Sequence, residues 1–150
     1  IVMNPQDFLT RYEENLPIEL ANNSFLKLVQ AYLEQNIPSF QPKSKVVVHG
    51  DVNYKNWLVC HNYLYLVDWD SVMFADPAVD IGTILGHYLP ASSWNQWLMS
   101  YGVFGSEEMI EKVYWYALIS MLNEVKKDFN KNAFKEMNQE ILQLKRIYTG

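Results

Sequence analysis

Five aspartates and the amide Asn56 fall in one short span: Asp51, Asn56, Asp68, Asp70, Asp76 and Asp80. Elsewhere the acids are spread thinly. Carboxylates and an amide at this density suit two kinds of chemistry. They accept or orient protons, and they hold a hard cation such as Mg²⁺, which needs few protein oxygens and keeps the rest of its shell for water and phosphate. Their order gives them different stations. His49-Gly50-Asp51 directly follows the apolar run Val46-Val47-Val48, and Gly50 lets the chain turn sharply there. Asn56 comes five residues after Asp51, and Asp68 closes the apolar run Tyr63 to Val67. A loop and two strand ends can gather Asp51, Asn56 and Asp68 into a site with one carboxylate free for a proton and two oxygens free for metal.

The elements that must position these residues are short strands set among helices. Val46–His49, Trp57–Cys60 and Tyr63–Val67 are rich in Val, Tyr and Trp, which favours strands. The last two flank His61-Asn62 and predict a hairpin, with Asn62 tolerating the turn. Ahead of them, Asn4-Pro5 predicts a capped helix carrying Phe8, Leu9, Tyr12 and Leu16, stopped by Pro17. A second helix, starting at Asn23-Ser24, presents Phe25, Leu28, Val29, Tyr32 and Leu33 on one face. Residues 38–45 form a polar connector. Beyond Pro77 the helical period returns with Val79, Ile81, Ile84, Leu85 and Tyr88. Ser92 or Ser93 is suited to cap a Trp-rich helix closed by Gly102, and Ser106 a long helix facing inward with Ile110, Val113, Tyr114, Ala117, Leu118, Met121, Leu122 and Val125. Asn130 or Asn132 is suited to cap the last helix. The pattern is α+β and mainly helical, one domain over residues 1–150.

Bulk properties exclude several classes. The composition, 49% hydrophobic and 19% charged, is that of a folded globular chain. Net charge is −5, and no basic stripe alternates with aromatics, so a nucleic-acid polymer is not an expected partner. No apolar run reaches membrane-spanning length, and no signal peptide is apparent, so no membrane association is expected. The lone Cys60 fits a reducing, cytoplasmic setting and a buried strand position without a redox role. The chain opens Ile-Val-Met-Asn, which reads as the start of a fragment or a processed form.

Three motifs carry a family resemblance. His49-Gly50-Asp51-Val52-Asn53-Tyr54-Lys55-Asn56 resembles the H-G-D-x-x-x-x-N catalytic loop of the aminoglycoside phosphotransferase and choline kinase superfamily, the counterpart of H-R-D-x-x-x-x-N in protein kinases. Leu66-Val67-Asp68-Trp69-Asp70 resembles the I-D-[WF]-[DE] segment of that superfamily. Asp76-Pro77-Ala78-Val79-Asp80-Ile81-Gly82 is similar to its D-P-x-x-D-L-[AG] motif. Asn56-Trp57-Leu58 and the later tryptophans look most like the bacterial cell-cycle-regulator branch. The resemblance implies the C-terminal lobe of a protein-kinase-like fold, with ATP and Mg²⁺ as cofactors and a small-molecule hydroxyl acceptor such as choline, an aminoglycoside or a sugar. It implies that Asp51 takes or orients the acceptor proton, supported by His49. It further implies that Asn56 and Asp68 hold the metal on the nucleotide with Asp70 assisting, and that Asp80 and Gly50 support the loop. Tyr54, Trp57, Trp94 and Trp97 are the candidates for a substrate wall.

The resemblance covers that lobe alone. No glycine-rich phosphate loop or strand lysine precedes Val46, so the chain by itself is expected to be inactive, with a separate lobe or a homodimer through an exposed apolar face as its partner. Lys55 is expected to be a solvated lysine, because protein kinases place their loop lysine where this chain has Asn53. His61 is expected to be only a turn residue, and His87 a surface or core histidine. Two other functions remain. One is a non-catalytic kinase-fold module used for binding or regulation. The other is a haloacid-dehalogenase-type phosphatase, suggested by Asp68-Trp69-Asp70-Ser71-Val72. Its late acid motif should lie far along the chain, yet Asp76 follows almost at once.

Overall fold

In the computed structural model the described residues are 1–102 and 107–149. The chain folds as α+β, mainly helical. Asn4 opens α1 (Pro5–Glu13) with a reciprocal cap: its side chain accepts the Asp7 N–H, and the Asp7 carboxylate accepts the Asn4 N–H at 2.8 Å. The helix ends before Leu16, because Asn15 turns into the left-handed region (φ 53°). A single extra turn, α2 (Ile18–Ala21), precedes α3 (Ser24–Gln35), which Asn23 caps through the Leu26 N–H. The buried face of α3 is Leu26, Val29 and Leu33, while Leu28 is exposed. The expected stripe is thus rotated by part of a turn.

The strands make two separate antiparallel pairs. β1 (Val46–Val48) pairs with β4 (Met73–Ala75), a strand that the sequence did not reveal, in the register Val48 to Met73. β2 (Trp57–Cys60) and β3 (Tyr63–Leu66) form the hairpin, and both His61 and Asn62 take positive φ at its turn. That is the backbone a two-residue hairpin loop favours. Both faces of the hairpin lie largely in solvent: Leu58 is 53% exposed, Val59 77% and Leu64 61%. Cys60 is exposed as well, against the expectation of a buried residue.

The helical body centres on α6 (Glu107–Asn130), whose expected cap, Ser106, lies outside the described residues. The middle of α6 is buried nearly all round. Trp115, Tyr116 and Ile119 join the predicted stripe of Val113, Ala117, Leu118, Met121, Leu122 and Val125, because α1, α3, α4 and α7 all pack on it. α4 (Ala78–Tyr88) lies closest. A Cβ at Gly82 would sit 2.8 Å from the Ala117 amide nitrogen and 2.9 Å from the Val113 carbonyl oxygen, so the two helices meet backbone to backbone. Tyr88, predicted on the core face, is 43% exposed. α5 (Trp94–Tyr101) and α7 (Phe134–Ile147) complete the body. Neither Ser93 nor an asparagine caps them by side chain; Ala133 stands at the start of α7.

Tertiary packing at Gly82 predicts a large effect from one methyl group. Gly82→Ala would force α4 and α6 apart and destabilise the fold by about 1–3 kcal/mol, read as a lower urea midpoint at constant slope.

Candidate active site

Asp80 lies in the first turn of α4, and its carboxylate accepts two backbone N–H groups of the neighbouring loop: His49 at 2.8 Å and Gly50 at 3.0 Å. The loop turns there at φ +84° for Gly50, and a Cβ would meet the Ser71 carbonyl oxygen at 2.6 Å. Only glycine fits. His49 is 1% exposed. Its Nδ1 accepts the Asp51 N–H at 3.1 Å, so the ring proton sits on Nε2, which donates to the Val67 carbonyl at 2.8 Å. One imidazole thus ties the Asp51 loop to the end of β3, with the Trp69 ring standing edge-on to it at 4.7 Å.

Asp51 presents a carboxylate held on both oxygens. Asn53 Nδ2 donates to Oδ1 at 2.6 Å, and Asn56 Nδ2 donates to Oδ2 at 3.1 Å and to the Asp51 carbonyl at 2.7 Å. Asn56 is buried, and its own carbonyl accepts the Val67 N–H at 2.8 Å, which sets it beside the segment leading to Asp68. Asp68 is exposed in the left-handed region (φ 58°, ψ 74°), and Oδ1 accepts the Asp70 N–H at 3.4 Å. The structure therefore brings Asp51 and Asn56 into direct contact and joins Asp68 to them through one backbone hydrogen bond. Asp70 is exposed. Asp76 has a different role. It is buried, accepts the Ala78 N–H at 2.9 Å and pairs with Lys112 at 2.9 Å, which fastens the start of α4 to α6.

The donor set fits a hard cation. Both hydrogens of the Asn56 amide go to Asp51, leaving Oδ1 without a partner among the described residues, and Asp68 keeps Oδ2. One amide oxygen and one carboxylate oxygen are a Mg²⁺-like complement.

Two clefts lie near the Asp51 loop and share part of their walls. The first, of about 90 Å³, is lined by Gly50, Asp51, Asn53, Thr83, His87 and Glu124 among others. Tyr116 also lines it with a buried hydroxyl that has no hydrogen-bond partner among the described residues; burial first, then Asp76, raises its pKa. The second, of about 200 Å³, shares Asn53, His87 and Glu124 and adds Tyr54, Asp128, Glu136 and Glu140. Its walls are acidic. Burial raises the Glu124 and Asp128 carboxyls above the ordinary range. His87 sits at the junction, with Nδ1 2.8 Å from the Thr83 carbonyl and Nε2 2.7 Å from Glu140. Burial opposes its charge most strongly, but the hydrogen bond and ion pair with Glu140, helped by Thr83 and Glu124, prevail and raise its pKa. Sequence reasoning gave His87 no such place, because its partner lies on another helix.

Of the four aromatic candidates, only Tyr54 lines these clefts, at 68% exposure. Trp57 is half-buried, 3.5 Å from the Val52 carbonyl. Trp94 lies in the core with its indole N–H on the Leu89 carbonyl, and Trp97 stacks on Tyr101, ring centroids 5.1 Å apart. The structure brings neither to the clefts. Lys55 is exposed, as expected, above the Tyr54 ring.

The model of the phosphotransferase enzyme family matches residues 5–116, which include the Asp51 loop, Asp68 and Asp80. The chain belongs to that family. The phosphotransferase fold is also seen in a solved structure of the GDP and kanamycin complex of APH(2″)-IIIa. The two share 16% sequence identity at a TM-score of 0.63, with 97% of this chain and 52% of the other covered. The present chain spans about half the length of that phosphotransferase.

The geometry of the site makes two predictions. Asp80→Ala would release two charge-assisted hydrogen bonds, destabilise the protein by about 2–4 kcal/mol and loosen the Asp51 loop, seen as faster amide exchange at His49 and Gly50. The second concerns His87. Its pKa is raised in the fold, so the His87–Glu140 pair stabilises fully below about pH 6 and the benefit fades as pH climbs through the raised value. The gap between the urea midpoints of wild type and His87→Gln should be widest at acid pH and narrow as pH rises through the raised value.

Proposed function

We propose that this chain is the catalytic and acceptor-binding part of a nucleotide-dependent kinase, one that moves the γ-phosphoryl group of ATP to a hydroxyl of a small molecule. The supporting observation is the Asp51 carboxylate, held on both oxygens in the wall of a cleft it shares with His87 and Glu124, while Asn56 Oδ1 and Asp68 Oδ2 have no partner among the described residues. Asp51 accepts the proton of the acceptor hydroxyl as its oxygen bonds to phosphorus. The bond from phosphorus to the bridging oxygen breaks, and ADP departs with that electron pair. Asn56 and Asp68 would hold Mg²⁺, with Asp70 close enough in sequence to assist; the ion supplies neutralisation of phosphate charge. His49, Gly50 and Asp80 fix where the loop stands, which matters because catalysis of this kind is mostly positioning.

Glu124, Asp128, Glu136 and Glu140 line the cleft and support an acceptor bearing amino groups, such as an amino-sugar or an amino-alcohol. Kanamycin and GDP are named for the solved relative, and its complex lends the same direction to this reading. The setting that goes with it is the cytoplasm, where ATP is abundant. The rival dehalogenase-type reading gains nothing from the fold, since Asp68 follows an antiparallel hairpin rather than a strand of a parallel sheet. A nucleotide-clamping lobe would come from elsewhere, docking on the apolar residues that β2, β3 and β4 expose.

Two assays test this. In the full-length protein, screened against amino-sugars, choline and neutral sugars with ATP, Asp51→Ala should lower kcat by about 10²–10⁴-fold, and full activity would end the assignment. The 150-residue chain alone should show no transfer. If the full-length protein bound nucleotide and acceptor without transfer, the reading as a binding module would stand instead.

A further inference from the structure

We propose that Asn53 is the positioning residue that sets the plane of the Asp51 carboxylate, an inference that rests on the phosphotransfer reading above. An aspartate on a loop turns easily about its terminal torsion, which has no sharp wells. Two amides stop it here, one on each oxygen. Asn56 holds Oδ2 at 3.1 Å, and Asn53 holds Oδ1 at the shorter distance of 2.6 Å. Asn53 is itself fixed. Its backbone N–H donates to the Asp51 carbonyl at 2.9 Å, its carbonyl accepts the Asn56 N–H at 3.0 Å, and its side-chain oxygen accepts the Lys55 N–H at 3.0 Å. Asp51, Asn53 and Asn56 thus close a ring of hydrogen bonds within six residues of chain.

Each carboxylate oxygen can accept two hydrogen bonds, so Oδ1 and Oδ2 both keep capacity for the acceptor proton. Asn53 also lines both clefts, so an acceptor hydroxyl reaching Asp51 passes beside it. A neutral amide orients the base without adding a charge that would compete for phosphate.

The decisive variant is Asn53→Ser in the full-length enzyme. It keeps a side-chain oxygen that can accept the Lys55 N–H, adds no charge, and carries no amide N–H to donate to Asp51. Its melting temperature should stay near that of wild type, while kcat falls at least about tenfold and the KM for ATP changes little. Asn53→Ala should lose kcat and some stability together, because it removes the cap as well. Wild-type kcat in Asn53→Ser, beside an inactive Asp51→Ala, would overturn this inference alone; full activity in Asp51→Ala would remove both readings. A third readout needs no turnover. In the ¹⁵N-labelled protein the Asn53 side-chain amide proton that meets Asp51 should move upfield in Asp51→Ala, and an unmoved resonance would overturn the assignment.

Discussion

The Asp51 loop depends on one carboxylate of a neighbouring helix. Asp80 receives the N–H groups of His49 and Gly50, and it does so from the first turn of α4, where the helix dipole favours negative charge. The two residues that lead into Asp51 are aligned through this contact. Its worth rests on α4 being fixed, and two features fix it. Gly82 lets the helix touch α6 backbone to backbone, and Asp76 caps the same helix while pairing with Lys112 of α6. Position therefore passes from the buried middle of α6, by backbone contact at Gly82, through α4 and one short carboxylate to a loop at the surface.

The residues legible in the sequence were those whose meaning is local. Asp51, Asn56, Asp68 and Asp80 could be picked out because loop and strand-end chemistry repeats at short spacing. The Asn4 cap and the His61-Asn62 turn could be read for the same reason. What stayed hidden depends on distant partners. β4 is three residues long, with no period of its own, and exists because β1 pairs with it. Leu26 replaces Leu28 on the inner face of α3 because α6 approaches from that side. Trp115, Tyr116 and Ile119 break the amphipathic stripe because four helices surround α6. His87 meets Glu140 across more than fifty residues of sequence. Asn53 was visible only as the place where protein kinases keep a lysine; that its amide reaches Asp51 is a matter of loop closure.

The clefts beside Asp51 set bases among their acids. Arg11 lines the first, Lys55 the second and His87 both, and Glu140 favours the charged form of that imidazole. The shared wall is thus less negative than its list of carboxylates suggests. A visiting amine would compete with a built-in counter-ion rather than enter an empty field.

The β2–β3 hairpin gives the two halves of the site unequal footing. A two-stranded ribbon bare on both faces has little to resist opening, whereas the Asp51 loop is pinned to the helical core. Asp68 hangs from the ribbon, and Asn56 reaches that ribbon by its carbonyl and Asp51 by its amide. Local opening should therefore begin at the His61-Asn62 tip of the ribbon and stop where His49 holds the Val67 carbonyl, at the threshold of Asp68.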